Sequence, residues 1–356
     1  MNNLPDFPWD KLEPHKRRAL EHPDGIVDLS VGTPVDPVPQ VVQEALVKAA
    51  DSPGYPLTHG TRELREAAAG WLARRHGVSV GEQAVLPLIG SKEFVAWLPT
   101  YLGAEHVALP ELAYPTYDVG ARLAGAKASA TDGLVALGPE PVDLVWVNSP
   151  SNPTGRVLPA EHLRKVVEWA RERGAIVASD ECYIELGWEA EPISILHPDV
   201  CGGSHEGLLA VHSLSKRSNL AGYRAGFVTG DPALVKRLLE IRKHGGMIMP
   251  APVQAAMAAA LADDAHAEEQ RERYSARRAV LRPALEKAGW TIEHSEAGLY
   301  FWASNGKDCW TQVAELAEIG ILAAPGDFYG AAGSSHIRIA VTATDERISA
   351  AVRRLQ

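Results

Sequence analysis

An α/β fold, in which a mostly parallel sheet is covered by helices on both faces and followed by a smaller α+β domain, is what this sequence predicts. Three observations carry that expectation. Short apolar runs recur between residues 84 and 213. Most of them are followed by a turn and a helix-like stretch, the pattern of parallel strands joined by crossover helices. From about residue 252 the chain changes style, to a long Ala-rich, charged helix and then shorter strands.

Taken in order, residues 1–36 are Pro-rich and irregular, an arm expected to join the smaller domain. A helix follows Pro39, with Val41, Val42, Ala45, Leu46 and Ala49 at i, i+3, i+4 spacing on one face. Thr61 can cap the next helix, TRELREAAAGWLARRHG, which Gly77 closes. The strand-like runs are AVLPLI, HVAL, DLVWVN, AIVAS and LLAVHS. Between two of them Pro159 opens a helix that lines up Leu163, Val166, Val167 and Ala170 before Gly174 ends it. The segment from Gln254 to Gly289 reads as one long helix; LYFWAS, a helix near 311–319 and HIRIAV come after it. The expected division is a large domain over 37–250 and a small one over 251–356.

Composition narrows the function. At 356 residues with 46% apolar and 22% charged residues, the chain can bury a substantial core in two domains. A formal net charge of −10 argues against a nucleic-acid surface, which needs clustered Lys and Arg. No run of about 18 apolar residues suggests a membrane span. The N-terminus lacks the apolar segment of a secretory signal, so a cytoplasmic location is expected. Cys182, Cys201 and Cys309 are odd in number and widely spaced, which reads as three buried, reduced thiols rather than disulfides or a metal site.

Ligands of open α/β sheets bind beyond the carboxyl ends of the strands. Those positions form a coherent set here. AVLPLI leads to Gly90-Ser91-Lys92, which opens a helix, and DLVWVN leads to Asn152-Pro153-Thr154-Gly155. AIVAS leads to Asp180-Glu181-Cys182-Tyr183, and LLAVH to Ser213-Leu214-Ser215-Lys216, with Arg224 eight residues beyond the Lys. An anion cradle, an amide, a carboxylate and an amine at successive strand ends point to one polyanionic, nitrogenous ligand. Asp180 ends a buried strand, where an unpaired carboxylate is costly. Ser91 and Lys92 start a helix whose N–H groups and dipole favour an anion.

The ordered set GSK, NPTG, DECY, SLSK and Arg224 resembles the class I/II aminotransferases, enzymes of fold type I that depend on pyridoxal 5′-phosphate (PLP). VGTP near residue 32, Tyr55 before GTRELR, YPTY at 114–117 and HIRIA around Arg338 extend the resemblance over nearly the whole chain. It implies a seven-stranded sheet in the large domain and the following roles. Lys216 binds the cofactor aldehyde covalently and, once released, shuttles the proton of the reaction. Burial and neighbouring cations favour its neutral form. Asp180 pairs with the pyridine nitrogen, keeping the ring an electron sink. Asn152 and Tyr183 bond the phenolic oxygen. Gly90, with the backbone amides of Ser91 and Lys92, holds the phosphate together with Ser213 and Arg224. Arg338 grips the substrate α-carboxylate. Tyr55 reaches the phosphate from a neighbouring subunit, making a homodimer part of the site; a packing aromatic is its competing reading. Tyr114 stacks on the ring or is an ordinary core Tyr. Gly32 lets the backbone approach the carboxylate or simply makes a turn.

Substrate is less directly written. Gly245–Pro250 contains no Arg, which discourages an aspartate-specific reading. LPDFPWDKLEPHK, DLSVGTPVDPVP, SKRSNLAGYRAGFVTGD and APGDFYG resemble bacterial N-succinyldiaminopimelate aminotransferases most. That resemblance implies glutamate and 2-oxoglutarate as co-substrates in lysine and diaminopimelate synthesis, in two half-reactions alternating through the amino form of the cofactor. A PLP-dependent C–S β-lyase shares the same cofactor residues and is the rival enzyme. A regulator of aminotransferase type is the other rival, disfavoured because VGTP begins too early for an N-terminal DNA-binding module.

Overall fold

The computed structural model describes residues 4–356. Near the N-terminus, strand β1 (Val27–Asp28) follows a helix over Glu13–Leu20. The large sheet is built from β2 (Val85–Ile89), β3 (His106–Leu109), β4 (Lys127–Ala130), β5 (Leu144–Asn148), β6 (Ile176–Asp180), β7 (Leu208–Ser213) and β8 (Ala225–Gly230). Their order is β2-β8-β7-β6-β5-β3-β4. Strands β4, β3, β5, β6 and β7 pair in parallel, and β8 runs antiparallel to both of its neighbours. The expected mostly parallel, seven-stranded sheet is therefore present, with one reversed strand.

Each central strand sends alternate side chains to opposite faces. Leu144 and Trp146 join a core with Phe94, Leu98 and Tyr117, under helices Ser91–Leu102, Thr116–Ala124 and Pro232–Gly245. Val145 and Val147 join the opposite core with Leu64, Leu72 and Leu163, under helices Arg62–His76 and Ala160–Arg173. Thr61 accepts from the Leu64 N–H at 3.2 Å and Gly77 ends that helix at φ +63°, as its sequence suggested. In Ala160–Arg173 the residues buried are Leu163, Val166, Val167 and Ala170. Each of the three larger ones contributes roughly 1.5–3 kcal/mol when buried.

A second core surrounds β9 (Thr291–Glu293), β10 (Tyr300–Ser304), β12 (Ala324–Pro325) and β13 (Ile337–Ala340), an antiparallel sheet in the order β12-β13-β10-β9. Strand β11 (Ile321–Leu322) pairs in parallel with β1, and Leu12, Val27 and Leu29 are buried in the same core.

Several sequence expectations change. Residues 8–20 are not irregular: a 3₁₀ turn over Pro8–Leu12 leads into the helix Glu13–Leu20, which packs on helix Cys309–Glu318. The long helix expected from Gln254 is two helices, Ala251–Ala262 and Ala265–Lys287, separated at Asp263-Asp264. The first packs its Ala256, Met257, Ala260 and Leu261 into the large-sheet core, whereas the second supplies Tyr274, Leu281 and Leu285 to the other. Packing thus changes sides at that break rather than near residue 250. Two strands of the large sheet lack a recognisable run. β4 is an edge strand with mostly exposed residues, and β8 carries Gly226 because a Cβ there would lie 2.8 Å from the His212 carbonyl.

Candidate active site

Strand register sets the first part of the site. Asn148 and Asp180 are paired at the carboxyl ends of β5 and β6, and Ser213 ends β7 opposite Gly226. Past these ends the chain leaves the sheet, and a cavity of about 490 Å³ opens between the large sheet and the second one. Of the residues singled out from sequence, Gly32, Ser91, Lys92, Tyr114, Asn152, Asp180, Tyr183, Ser213, Lys216, Arg224 and Arg338 line it. Two do not. Gly90 lies behind Arg224, and Tyr55 is fully exposed, away from this cavity of its own chain.

Lys216 follows Ser213 on a short helical turn, Leu214–Arg217, whose first N–H groups are organised by the Ser213 hydroxyl accepting from the Ser215 N–H. Its amine donates to the Gly32 carbonyl. Burial lowers its pKa, and the nearby Arg338 and Arg224 act in the same direction against the pull of Tyr300. A neutral, nucleophilic amine is thereby favoured.

Asp180 is buried, and burial pushes its carboxyl up, an effect that hydrogen bonds partly offset. The Tyr117 hydroxyl donates to Oδ2 at 2.9 Å and the Cys182 N–H to Oδ1 at 3.2 Å. The Asn148 amide donates to the Asp180 main-chain carbonyl at 2.9 Å, and its Oδ1 accepts from the Asn152 N–H at 2.7 Å. No cation pairs with the Asp180 carboxylate among the described residues. A buried carboxyl in that state suits a cationic nitrogen of a ligand, which would favour its charged form.

The anion cradle is built from absences as much as from donors. Helix Ser91–Leu102 begins at Gly90 with no side-chain cap, so its first N–H groups face the cavity. Gly90 sits at φ +73°, and a Cβ there would lie 2.1 Å from Nη2 of Arg224. Only glycine lets that guanidinium lie over the helix start. Arg224 itself has φ +55°, a conformation uncommon outside glycine and concentrated at functional sites. An uncapped helix N-terminus, the Ser213 hydroxyl and a guanidinium fork suit a dianionic phosphate.

Arg338 comes from the middle of β13 in the second sheet. It is 2% exposed, donates to Asn152 Oδ1 at 2.8 Å and to the Ser30 carbonyl at 2.7 Å, and keeps Nε without a partner. Its guanidinium carbon stands 3.9 Å from the centroid of the Tyr300 ring. The Tyr300 hydroxyl lies 3.1 Å from that of Tyr183 and covers Gly32, where a Cβ would approach it to 2.2 Å. Gly32 is therefore needed for close packing and is not merely a turn residue. Gly32→Ala should displace Tyr300, cost about 1–3 kcal/mol in urea unfolding and impair turnover disproportionately. A variant of wild-type stability and activity would contradict this packing.

Sequence reasoning missed Phe7, Trp9, Tyr117, Asn148 and Tyr300 on the cavity wall. Tyr117 was within reach, being the second Tyr of YPTY. Tyr300 carries no signal beyond its place in an apolar strand. Cys182, expected to be buried, is only partly so and lines the cavity; Cys201 and Cys309 are buried, and all three are free thiols. Among the described residues no cluster of side chains could hold a metal, and no helix is long and apolar enough to cross a membrane.

A family model described as aminotransferase class I and II matches residues 24–355. The chain is 62% identical over 358 residues to the 4-dedimethylamino-4-oxo-anhydrotetracycline transaminase OxyQ of Streptomyces rimosus, covering 100% of both chains. It is 63% identical over 357 residues to a probable aminotransferase of Mycobacterium tuberculosis, covering 99% of this chain and 85% of that one. Among solved structures, a probable N-succinyldiaminopimelate aminotransferase from Thermus thermophilus matches with a TM-score of 0.88 at 30% identity, over 98% of this chain and 99% of that one.

Proposed function

Since the chain belongs to the class I and II aminotransferase family, whose members depend on PLP, we propose that it transfers the amino group of N-succinyl-LL-diaminopimelate to 2-oxoglutarate, with Lys216 as the reacting amine. The observation that carries the reaction type is the convergence of Lys216, Asp180 and Arg338 on one cavity. When bound, PLP supplies an aldehyde that takes up the amino group and a pyridinium ring that withdraws electrons.

The residues divide the remaining work. Ser213, Arg224 and the N–H groups of Ser91 and Lys92 hold the phosphate. Asp180 keeps a proton on the pyridine nitrogen, and Tyr117 keeps Asp180 oriented. Asn152 and Tyr183 donate to the phenolic oxygen, and Tyr114 covers the ring. Arg338 binds the α-carboxylate and so turns the Cα–H bond toward Lys216. The Lys216 amine would accept that proton and deliver it to the former aldehyde carbon of the cofactor, across the shared nitrogen.

Substrate choice follows from the cations. Those lining the cavity are Lys92, Lys216, Arg224 and Arg338, and three of them have the roles just given. Lys92 remains. Its ammonium stands 5.5 Å from the Phe7 ring centroid and 6.0 Å from that of Tyr114, with no carboxylate partner among the described residues. A free cation on an aromatic rim suits the distal carboxylate of glutamate or of a succinylated donor. Lys92→Gln, which leaves the backbone amide in place, should raise KM for glutamate about ten- to a hundredfold, the worth of one charge-assisted hydrogen bond. KM for norvaline should hardly change; an equal rise for both would remove Lys92 from substrate recognition.

The same rim of Phe7, Trp9 and Tyr114 favours a second reading, a planar polycyclic ketone like the one named for the Streptomyces rimosus relative. One screen tests both. N-succinyl-LL-diaminopimelate, N-acetylornithine and aspartate are offered with 2-oxoglutarate, and glutamate is offered with a 4-oxo-anhydrotetracycline. Turnover of the succinylated compound well above the others is expected, and preference for any of the rest would overturn the substrate while leaving the reaction. Release of pyruvate from cystathionine without amino transfer would instead make it a lyase. Tyr55, fully exposed two residues before the exposed Leu57, is consistent with a face covered by a second copy that brings Tyr55 to the partner's phosphate site.

A further inference from the structure

A second cavity, of about 190 Å³, adjoins the catalytic one, and among the described residues the two share only Asn148 in their linings. It opens beyond the carboxyl ends of β3, β4 and β5, the edge of an α/β sheet where ligands bind. Its floor is apolar, made by Leu109, Val145, Val147, Leu158 and Val166. Its mouth is not. Arg156, Asp132 and His162 line it, and His294 comes from the turn before β10 in the second sheet. A few polar groups around an apolar floor are the make-up of a small-molecule site.

Those polar groups are uncommitted. Among the described residues the Arg156 guanidinium has neither a hydrogen-bond acceptor nor a carboxylate partner, although the Arg156 N–H bonds Thr154 Oγ1 at 3.3 Å. Asp132 Oδ1 accepts from the Glu111 N–H at 3.0 Å, and its Oδ2 has no donor among them. Burial and Arg156 lower the His162 pKa and Asp132 raises it, so both charges act on that ring without pairing with each other. His294 is held at φ +50°, a left-handed conformation concentrated at functional sites. The next residue fixes it there: the Ser295 N–H donates to the Thr154 carbonyl at 2.8 Å, and the Ser295 carbonyl accepts from Arg278 at 2.7 Å.

A ligand of one sign would satisfy one of the two charges and leave the other bare. What matches both is a molecule with a carboxylate and an ammonium on adjacent atoms and an apolar body. Size limits that body. A cavity of about 150 Å³ holds a benzene ring, so this one takes a side chain the size of leucine or phenylalanine. We propose that the cavity is a second ligand site, which binds a free α-amino acid with its carboxylate on Arg156, its ammonium on Asp132 and a branched or aromatic side chain on the floor. The Asn148 amide, bonded to the Pro150 and Asp180 carbonyls at 3.1 and 2.9 Å, is the wall between the two cavities. An amino acid seated here leans on the turn that carries Asn152 without entering the catalytic cavity.

The test is calorimetric titration of L-leucine into holoenzyme reduced with borohydride, in which the cofactor is fixed to Lys216 and cannot take up an amino group. Saturable binding at one site per chain is expected. Arg156→Gln should weaken it about ten- to a hundredfold, the worth of one charge-assisted hydrogen bond. Asp132→Asn, which can still accept from the Glu111 N–H, should weaken leucine to a similar degree. It should leave 4-methylpentanoate, which is leucine without its amine, unchanged. Leu134→Trp, on the half-buried turn beside the cavity, should occupy the floor and abolish binding of both. Arg338→Ala should bind leucine as wild type does; loss there, with indifference at Arg156, would place the ligand in the catalytic cavity and overturn the proposal. Absence of saturable binding would overturn it too, as would equal affinity for leucine and 4-methylpentanoate. Amino transfer from glutamate by unreduced Arg156→Gln and Asp132→Asn should match wild type, which shows the fold intact and separates this site from the reaction. A fall in that rate parallel to the loss of leucine binding would make both residues part of the substrate path instead of a second site.

Discussion

Lys216→Ala is expected to eliminate the visible absorbance band of the bound cofactor and to lower turnover on the order of 10⁴-fold, the upper range for removal of a positioned proton carrier. The expectation follows from where the amine stands. It is largely buried, bonded to the Gly32 carbonyl, and lined up with Asp180 and Arg338 along one cavity. Among the described residues the only other lysine lining that cavity is Lys92, whose ammonium stands instead beside the Phe7 and Tyr114 rings. A spectrum scanned after loading with PLP and an amino-transfer assay check the prediction together. Retention of both the band and the activity would remove Lys216 from the chemistry.

Asp180→Asn is expected to lower kcat by roughly 10²–10³-fold, the usual cost of deleting one preorganised electrostatic contact to the reacting group. Shape and hydrogen bonding to Tyr117 can survive the change; the charge cannot. On the proposed placement of the cofactor, nothing would then hold a proton on the pyridine nitrogen, and electron withdrawal would weaken. Stability should respond differently. In the cofactor-free protein the carboxylate is buried with only Tyr117 and the Cys182 N–H as partners, and burial already disfavours its charged form. A neutral amide relieves that penalty, so thermal unfolding of the cofactor-free variant should occur no lower than that of wild type. A large fall in both kcat and cofactor-free stability would mean that Asp180 acts mainly as a structural residue.

Much of the architecture was legible because it is written in local pattern. The five apolar runs became β2, β3, β5, β6 and β7, and the Thr61 and Gly77 caps bounded a helix as expected. What escaped was decided by contacts remote in sequence. Strand β8 contains glycines because the neighbouring backbone leaves no room at Gly226, which local propensity reads as loop. The break at Asp263-Asp264 has a local signal, since Asp263 Oδ1 accepts from the Ala265 N–H, but good helix formers flank it on both sides and the change of packing from one core to the other is not local. Within the site, residues at strand ends announce themselves, since polar groups closing buried strands need a reason. Tyr117 and Tyr300 do not, because an aromatic in an apolar segment is ordinary until its hydroxyl is seen to meet Asp180 or Tyr183.

One short stretch of main chain near the N-terminus tethers two basic side chains of the cavity, Ser30 through its carbonyl to Arg338 and Gly32 through its carbonyl to Lys216. Carbonyl groups belong to every residue, so the tether itself is largely indifferent to which side chains occupy the stretch, the space over Gly32 apart. Its weakness is spacing. Inserting or deleting one residue there would shift both acceptors along the chain together, uncoupling two distant parts of the molecule by an edit that touches neither.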